Sequence, residues 1–404
     1  MSFYDNRYYY VSKRLLSIIG QWPYQSRLES NTMLGITLFF TGSLTFLEGW
    51  GLVSGMTDLS IIMENASPLL VNSFIFVKLI NYFFNKYKMK ELLDHVEETW
   101  QMIQVGPRNE ILRSYAEQTK VYTIRYTLAL YAVWILYSTT PLIVSWTYKL
   151  LPINATYTAR FLYRLEHVCD VDKYFNLLML HGFISVFYIV SVPIAVDTMF
   201  VLCIQHVCAL FEIIKYDMEH IQGSDFVTLE PDIADDIEYH KIIECIKLHE
   251  QAFKFSELLS FAYATSYLFL LGNVIICLSF SLAELIMVDV QFDEIVRISA
   301  ASIAQLLHIY YLSWMCQRLL DHSGGLHKVI YSCNWYTISM RSRQLLKFML
   351  MRAIKPCQIK AGKIYVMSTE NFSSRHKGNR LATLCTINLW TIVEGTIDGV
   401  GQEA

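Results

Sequence analysis

Six stretches of this chain are long and apolar enough to cross a bilayer, and that constrains its fold more than any single motif. A hydrocarbon core of about 30 Å needs roughly 20 apolar helical residues to span it. Tyr126 to Tyr148, Tyr174 to Val196, Leu258 to Ala283 and Ile298 to Gln317 contain no Asp, Glu, Lys or Arg. Leu34 to Met56 carries only Glu48, and Ala66 to Phe84 only Lys78. One such run could be a buried helix of a large soluble protein, but six together predict an all-α membrane bundle. The excess of apolar side chains, 54% of 404 residues, lies in these runs.

Orientation follows from the distribution of Lys and Arg. Segments 1–33, 85–125, 211–257 and 317–363 hold 24 of them, whereas 57–65, 149–173, 284–297 and the residues after 374 hold eight. The amino terminus is therefore expected inside the cell, with Lys78 snorkelling to the basic side. The Asn65-Ala66-Ser67 and Asn154-Ala155-Thr156 sequons fall in segments placed outside, which makes Asn65 and Asn154 candidate glycosylation sites. An inside amino terminus excludes the seven-span receptors that couple to G proteins, so no G protein is expected.

Read in order, residues 1–33 form a cytoplasmic segment with an interfacial helix, its Tyr8 to Tyr10, Trp22 and Tyr24 suited to the headgroup layer. Gly51 and Gly55 make a small-xxx-small pair near the outer end of the first span. Glu48 falls in the outer third of that span, where water could reach it. Pro68 is expected in the first turn of the second span, and Met89, Leu92, Leu93, Val96, Trp100 and Ile103 recur at helical spacing beyond its inner end. Pro141 should bend the third span and open space beside it. The fourth apolar region, Tyr174 to Phe211, measures about 55 Å as a helix, which moves Asp197 toward the inner boundary. Asp289, Asp293 and Glu294 read as a solvated outer turn or, near a pore, as a cation-concentrating rim. Cys245 and His249 are four apart on one helix face, a spacing that could hold a metal, as could that of His240 and Glu244, but metal binding is not expected there. His308 reads as a hydrogen-bonded core residue.

Phosphate-cradling loops, HExxH, nucleophile elbows and paired-cysteine motifs are all missing from the sequence. No catalysis, cofactor or metal is expected, and a net charge of −3 gives no reason to expect a nucleic-acid partner. Nine cysteines, mostly inside spans or inner segments, predict no disulfide framework. What remains is recognition by shape, from a chain that is 14% aromatic. Depth and spacing single out Phe74, Tyr137, Thr140, Phe183 and Phe187 as ligand-binding candidates: Tyr137 and Thr140 share one helix face, as do Phe183 and Phe187.

Residues Val329 to Ser374 carry the strongest signature. Tyr331, Cys333, Trp335 and Tyr336, then Arg343, Leu346, Arg352, Pro356, Gly362 and Phe372, fall at a spacing that resembles the closing segment of the insect odorant receptor family. The resemblance is strong from Glu244 to Ser374 and looser before. It implies an insect odorant receptor-like bundle with a cytoplasmic amino terminus and spans from 34 to 317. It further implies a cytoplasmic subunit-interface helix within 318–374 that leads into a seventh, pore-lining span. By the same resemblance the chain is the odorant-tuning subunit of a ligand-gated, non-selective cation channel. That channel would assemble as a heterotetramer with an odorant coreceptor subunit, sit in the plasma membrane of olfactory sensory neurons and bind a small volatile molecule. Tyr331, Trp335, Tyr336, Arg343 and Arg352 would form the subunit interface, the two arginines pairing across it.

Residues 375–404 depart from that pattern. Leu381 to Val393 offers 13 uncharged residues, short of a span, behind a basic RHKGNR stretch. An alternative or mis-joined exon is the expected origin of this tail, and a non-conducting isoform is one alternative function. A gustatory-type chemoreceptor channel is a second. A small-molecule transporter is a third, though it would require internally repeated halves that are not seen.

Overall fold

The computed structural model describes residues 3–57, 59–150, 171–221, 232, 236–287, 292–362 and 364–373. Among them six helices are long and apolar enough to cross a membrane: α2 (Arg27–Ser54), α3 (Leu59–Phe84), α5 (Pro107–Leu150), α6 (Val171–Glu219), α7 (Ile237–Met287) and α8 (Phe292–Ser332). They contain five of the six apolar runs whole, and α2 holds the sixth as far as Ser54. Four shorter α-helices, α1 (Tyr10–Ile18), α4 (Lys86–Met102), α9 (Met340–Ala353) and α10 (Thr369–Ser373), and two 3-10 turns, Phe3–Asp5 and Trp335–Thr337, complete the described helices. The only strands among the described residues are β1 (Lys360–Ala361) and β2 (Tyr365–Val366), which pair antiparallel.

Helix α6 is the axis of the bundle. From Ser191 to Leu210 every residue is buried, and α2, α3, α5, α7 and α8 all pack on it. A helix apolar on every face must be enclosed on every face, and its Ile, Val and Phe side chains fill the space between the surrounding helices. By contrast α2, α5 and α8 bury one stripe and expose the rest, including Phe39, Phe46, Leu128, Ile303 and Leu306. Such exposure suits a surface bathed in acyl chains.

Helices α5, α6, α7 and α8 run 41 to 51 residues, at least twice the length a bilayer needs, so they extend well beyond it. Amphipathic α4 packs onto this extension, burying Met89, Leu92, Leu93 and Val96 as its apolar spacing predicts. The amino-terminal aromatics divide. Tyr9 and Trp22 are buried in the core in place of the expected headgroup position, Tyr10 and Tyr24 stay exposed, and Tyr4 donates its hydroxyl to the Leu93 carbonyl. The segment is a structural plug against Trp100, on which Tyr8 stacks while Tyr9 meets it edge-on.

Pro68 is also displaced from its expected place. Helix α3 begins at Leu59, so Pro68 lies inside it, more than two turns from the start. Asn65 consequently sits within α3 with no accessible surface, and neither its amide oxygen nor its nitrogen has a hydrogen-bond partner among the described residues. A glycan cannot be attached to an enclosed side chain, so Asn65 is withdrawn as an acceptor; Asn154 lies outside the described residues. Gly55, past the end of α2, faces the Ile61 side chain so closely that a Cβ would fall 2.5 Å from it, which gives the expected small-residue contact a specific partner on α3. Asp293 and Glu294 are buried in the first turn of α8, not solvated, and Asp289 lies outside the described residues.

Seven of the nine cysteines are described, all buried and free. Burial pushes the Cys357 thiol up to about 11, so it stays protonated and packs as a small apolar group.

Candidate ligand cavity

Four helices each turn a stripe of side chains at i, i+3, i+4 spacing toward one space between them. Helix α3 presents Pro68, Val71 and Asn72; α5 presents Val133, Trp134 and Tyr137; α6 presents Val186, Ile189 and Val190; and α8 presents Ala301, Ala304 and Gln305. With Glu48 of α2 and Ser67 they enclose a cavity of about 180 Å³. A second cavity of about 110 Å³ continues from it between Phe74, Leu130, Pro193, Leu270, Asn273 and His308. The two share Val71, Ile189, Val190, Ala304 and Gln305 as walls. The space exists because α8 supplies only methyl groups at 301 and 304, where larger residues would fill it.

The far end of the second cavity rests on a buried charge cluster. Lys78 Nζ lies 2.6 Å from Asp197 Oδ1, and His308 Nε2 lies 2.8 Å from Asp197 Oδ2, both acid and lysine side chains fully enclosed. Tyr126 donates its hydroxyl to the same Oδ2 at 3.0 Å and stacks on Tyr311 with ring centroids 4.3 Å apart. Lys78 therefore pairs within the bundle and does not snorkel, and Asp197 is its enclosed partner: each offsets the burial penalty of the other. His308 is the hydrogen-bonded core residue its sequence context suggested. Phe74 bridges cluster and cavity, its ring centroid 5.3 Å from Lys78 Nζ.

Most polar groups in the cavity walls are already engaged. Asn72 donates to Glu48 Oε2 at 2.5 Å, so Glu48 is enclosed rather than water-bathed. Ser67 bonds Ser281 at 3.1 Å, Asn273 donates to the Leu70 carbonyl at 2.8 Å, and Trp134 donates to the Phe183 carbonyl at 3.2 Å. The Tyr137 ring lies 6.0 Å from the Arg297 guanidinium. Such a chamber is suited to small, largely apolar molecules, held by burial worth about 25 cal/mol per Å².

Of the five residues chosen from sequence, Phe74 and Tyr137 line the cavities. Phe183 and Phe187 pack behind Trp134, with ring centroids 4.5 and 5.3 Å from it. Thr140 turns its hydroxyl to the Leu136 carbonyl of its own helix and lines neither cavity. Sequence reasoning missed Trp134, Ile189, Ala304 and Gln305. The period of Tyr137 extended one turn back would have reached Trp134.

At the opposite end of α8, Tyr331, Trp335 and Tyr336 are exposed. Arg343 donates to the carbonyls of Ile338 and Tyr336 at 3.0 and 2.8 Å, closing the loop ahead of α9. The Arg352 guanidinium lies 3.5 Å over the Phe253 ring and 3.8 Å from Glu257. Both arginines thus have partners within their own chain. Cys245 points its thiol at Asp217, and His249 packs edge-on against Phe253. No cluster of three or more metal-ligating side chains occurs among the described residues.

Comparison with known proteins turns this architecture into a family. The model of the 7tm odorant receptor family matches residues 58–378. The chain belongs to the 7tm odorant receptor family. Odorant receptor 9a of Drosophila melanogaster is 24% identical over 188 residues, 46% of this chain and 44% of that protein. Odorant receptor Or2 of Anopheles gambiae is 25% identical over 136 residues, 33% of this chain and 35% of that protein. The match thus spans less than half the length of either relative. The fold matches the insect olfactory receptor OR5 from Machilis hrabei, solved in complex with eugenol, with a TM-score of 0.74 at 13% identity over 96% of this chain and 100% of that one. A second structure of the same Machilis hrabei receptor matches with a TM-score of 0.71 at 13% identity, over 96% of this chain and 99% of that one. Membership of the odorant receptor family assigns a multi-pass membrane receptor, not an enzyme.

Proposed function

We propose that this odorant receptor is the tuning subunit of a ligand-gated, non-selective cation channel in the plasma membrane of olfactory sensory neurons, its amino terminus cytoplasmic. It works with an odorant coreceptor subunit in a heterotetramer. The observation that carries the reading is the paired cavity between α2, α3, α5, α6, α7 and α8, apolar and buried within a family whose members are odorant receptors. A small volatile molecule entering it meets Phe74 and Tyr137. The exposed Tyr331, Trp335 and Tyr336 offer large rings to a neighbouring subunit, while Arg343 and Arg352 shape the docking surface from within their own chain.

The test is coexpression with a coreceptor and recording of odorant-evoked current. Currents that Tyr137→Ala or Phe74→Ala shift to higher odorant concentration support the reading; currents unaffected by either substitution overturn the site. The uncharged stretch at 381–393, 13 residues and so short of a span, favours a second reading, a subunit that binds odorant without conducting. That stretch lies outside the described residues. Ligand binding with no current in the coexpressed complex selects the second reading, and an evoked current selects the first.

A further inference from the structure

Gln305 is the one polar residue of the cavity walls whose side chain makes no hydrogen bond to another described residue; Glu48, on the opposite wall, accepts from Asn72 through Oε2 alone. Its side-chain oxygen is shielded from solvent and unbonded, and the residue belongs to both cavities at their junction. Every other polar wall residue is committed: Glu48 with Asn72, Ser67 with Ser281, Asn273 and Trp134 with backbone carbonyls, and His308 with Asp197. Tyr137 is engaged as well. A shielded amide oxygen costs free energy until something bonds it. A ligand is the available partner.

We infer that Gln305 is the specificity-determining residue of this cavity, and that it selects a neutral ligand carrying a single hydroxyl on an apolar body. Neutrality is inferred from the second cavity, where Lys78 and Asp197 compensate each other and leave no net charge for an ion, whereas Glu48 in the wall of the larger cavity is the group an ammonium would seek. A hydroxyl suits the amide better than a carbonyl or an ether, because it donates to the amide oxygen and accepts from the amide nitrogen. Two cavities meeting at Gln305 leave apolar wall on either side of that contact, Val71 and Ile189 among it. A chain or ring bearing its hydroxyl at one end fills one side. This inference rests on the cavity being the ligand site, and not on the channel conducting.

The experiment measures binding to the full-length receptor in lipid nanodiscs with three bromine-bearing probes of one length: 6-bromohexan-1-ol, 1-bromoheptane and 6-bromohexylamine. Bromine quenches indole fluorescence at contact, Trp134 lines the larger cavity, and Trp134→Phe identifies the quenching that reports it. In the unaltered receptor the alcohol should quench at lower concentration than the amine. Gln305→Leu should weaken the alcohol about tenfold and leave the bromoheptane equal or tighter. Retained bromoheptane binding shows that the variant is folded, and Gln305→Met serves as a second apolar replacement. Partition into lipid is common to all variants and cancels in the alcohol-to-alkane ratio.

An alcohol-to-alkane ratio unchanged by both substitutions overturns the assignment. So does preferential binding of the amine, which would put recognition at Glu48, and so does an absence of quenching traceable to Trp134. None of these outcomes bears on current, so the channel reading stands or falls separately.

Discussion

Lys78 and Asp197 show how a residue can be misread when its partner is far along the chain. A lysine near the inner end of an apolar run is expected to reach for water. Here it reaches 2.6 Å to a carboxylate 119 residues later. Only the packing of α3 on α6 brings the two together, and nothing local in either sequence signals it. Removing one partner leaves an enclosed, uncompensated charge, so Lys78→Met and Asp197→Asn should each cost about 3–5 kcal/mol. Thermal inactivation of the purified receptor measures this, and Lys78→Met combined with Asp197→Leu should recover much of the loss. Wild-type thermostability in both single variants would show the pair to be dispensable. Within the cavity, Phe74→Ala and Tyr137→Ala should each raise the odorant concentration for half-maximal response about tenfold. Thr140→Val should leave it unchanged, since that hydroxyl serves its own helix. Dose-response curves separate these cases.

The helices themselves were largely readable. Six apolar runs became six helices because lipid leaves no other way to satisfy a backbone. Helix α4 was readable for a different reason, its 3.6-residue apolar period on a polar background. The cavity was not readable to the same degree. Its walls depend on which face each helix turns inward, and apolar residues surround a membrane helix on both its lipid and its protein sides. Aromatic size drew attention to Phe183 and Phe187, whereas the chamber is opened by the small Ala301 and Ala304. The amino-terminal plug was missed because its rings fit a headgroup layer and a soluble core equally well. Helix α4 supplies a test at this scale. Leu92→Ala removes a fully buried side chain and should cost about 2–5 kcal/mol, read as a lower melting temperature of the receptor. Glu91→Ala on its exposed face should leave the melting temperature unchanged.

For the molecule as a whole, orientation rests on the asymmetry of Lys and Arg and is open to direct test. An epitope placed before Met1 should be stained only after permeabilisation; staining of intact cells would reverse the topology and move the cavity to the other leaflet. The long helices tie the two ends of the receptor together. Gly362, at φ +60°, turns the β1–β2 hairpin so tightly that its amide donates to the Ala264 carbonyl of α7 at 2.9 Å, with the Leu268 side chain against it. Leu270, a cavity wall, stands six residues along that helix, about 9 Å away. An occupant that displaced Leu270 would therefore act on α7 less than two turns from the point where the hairpin is fastened to it.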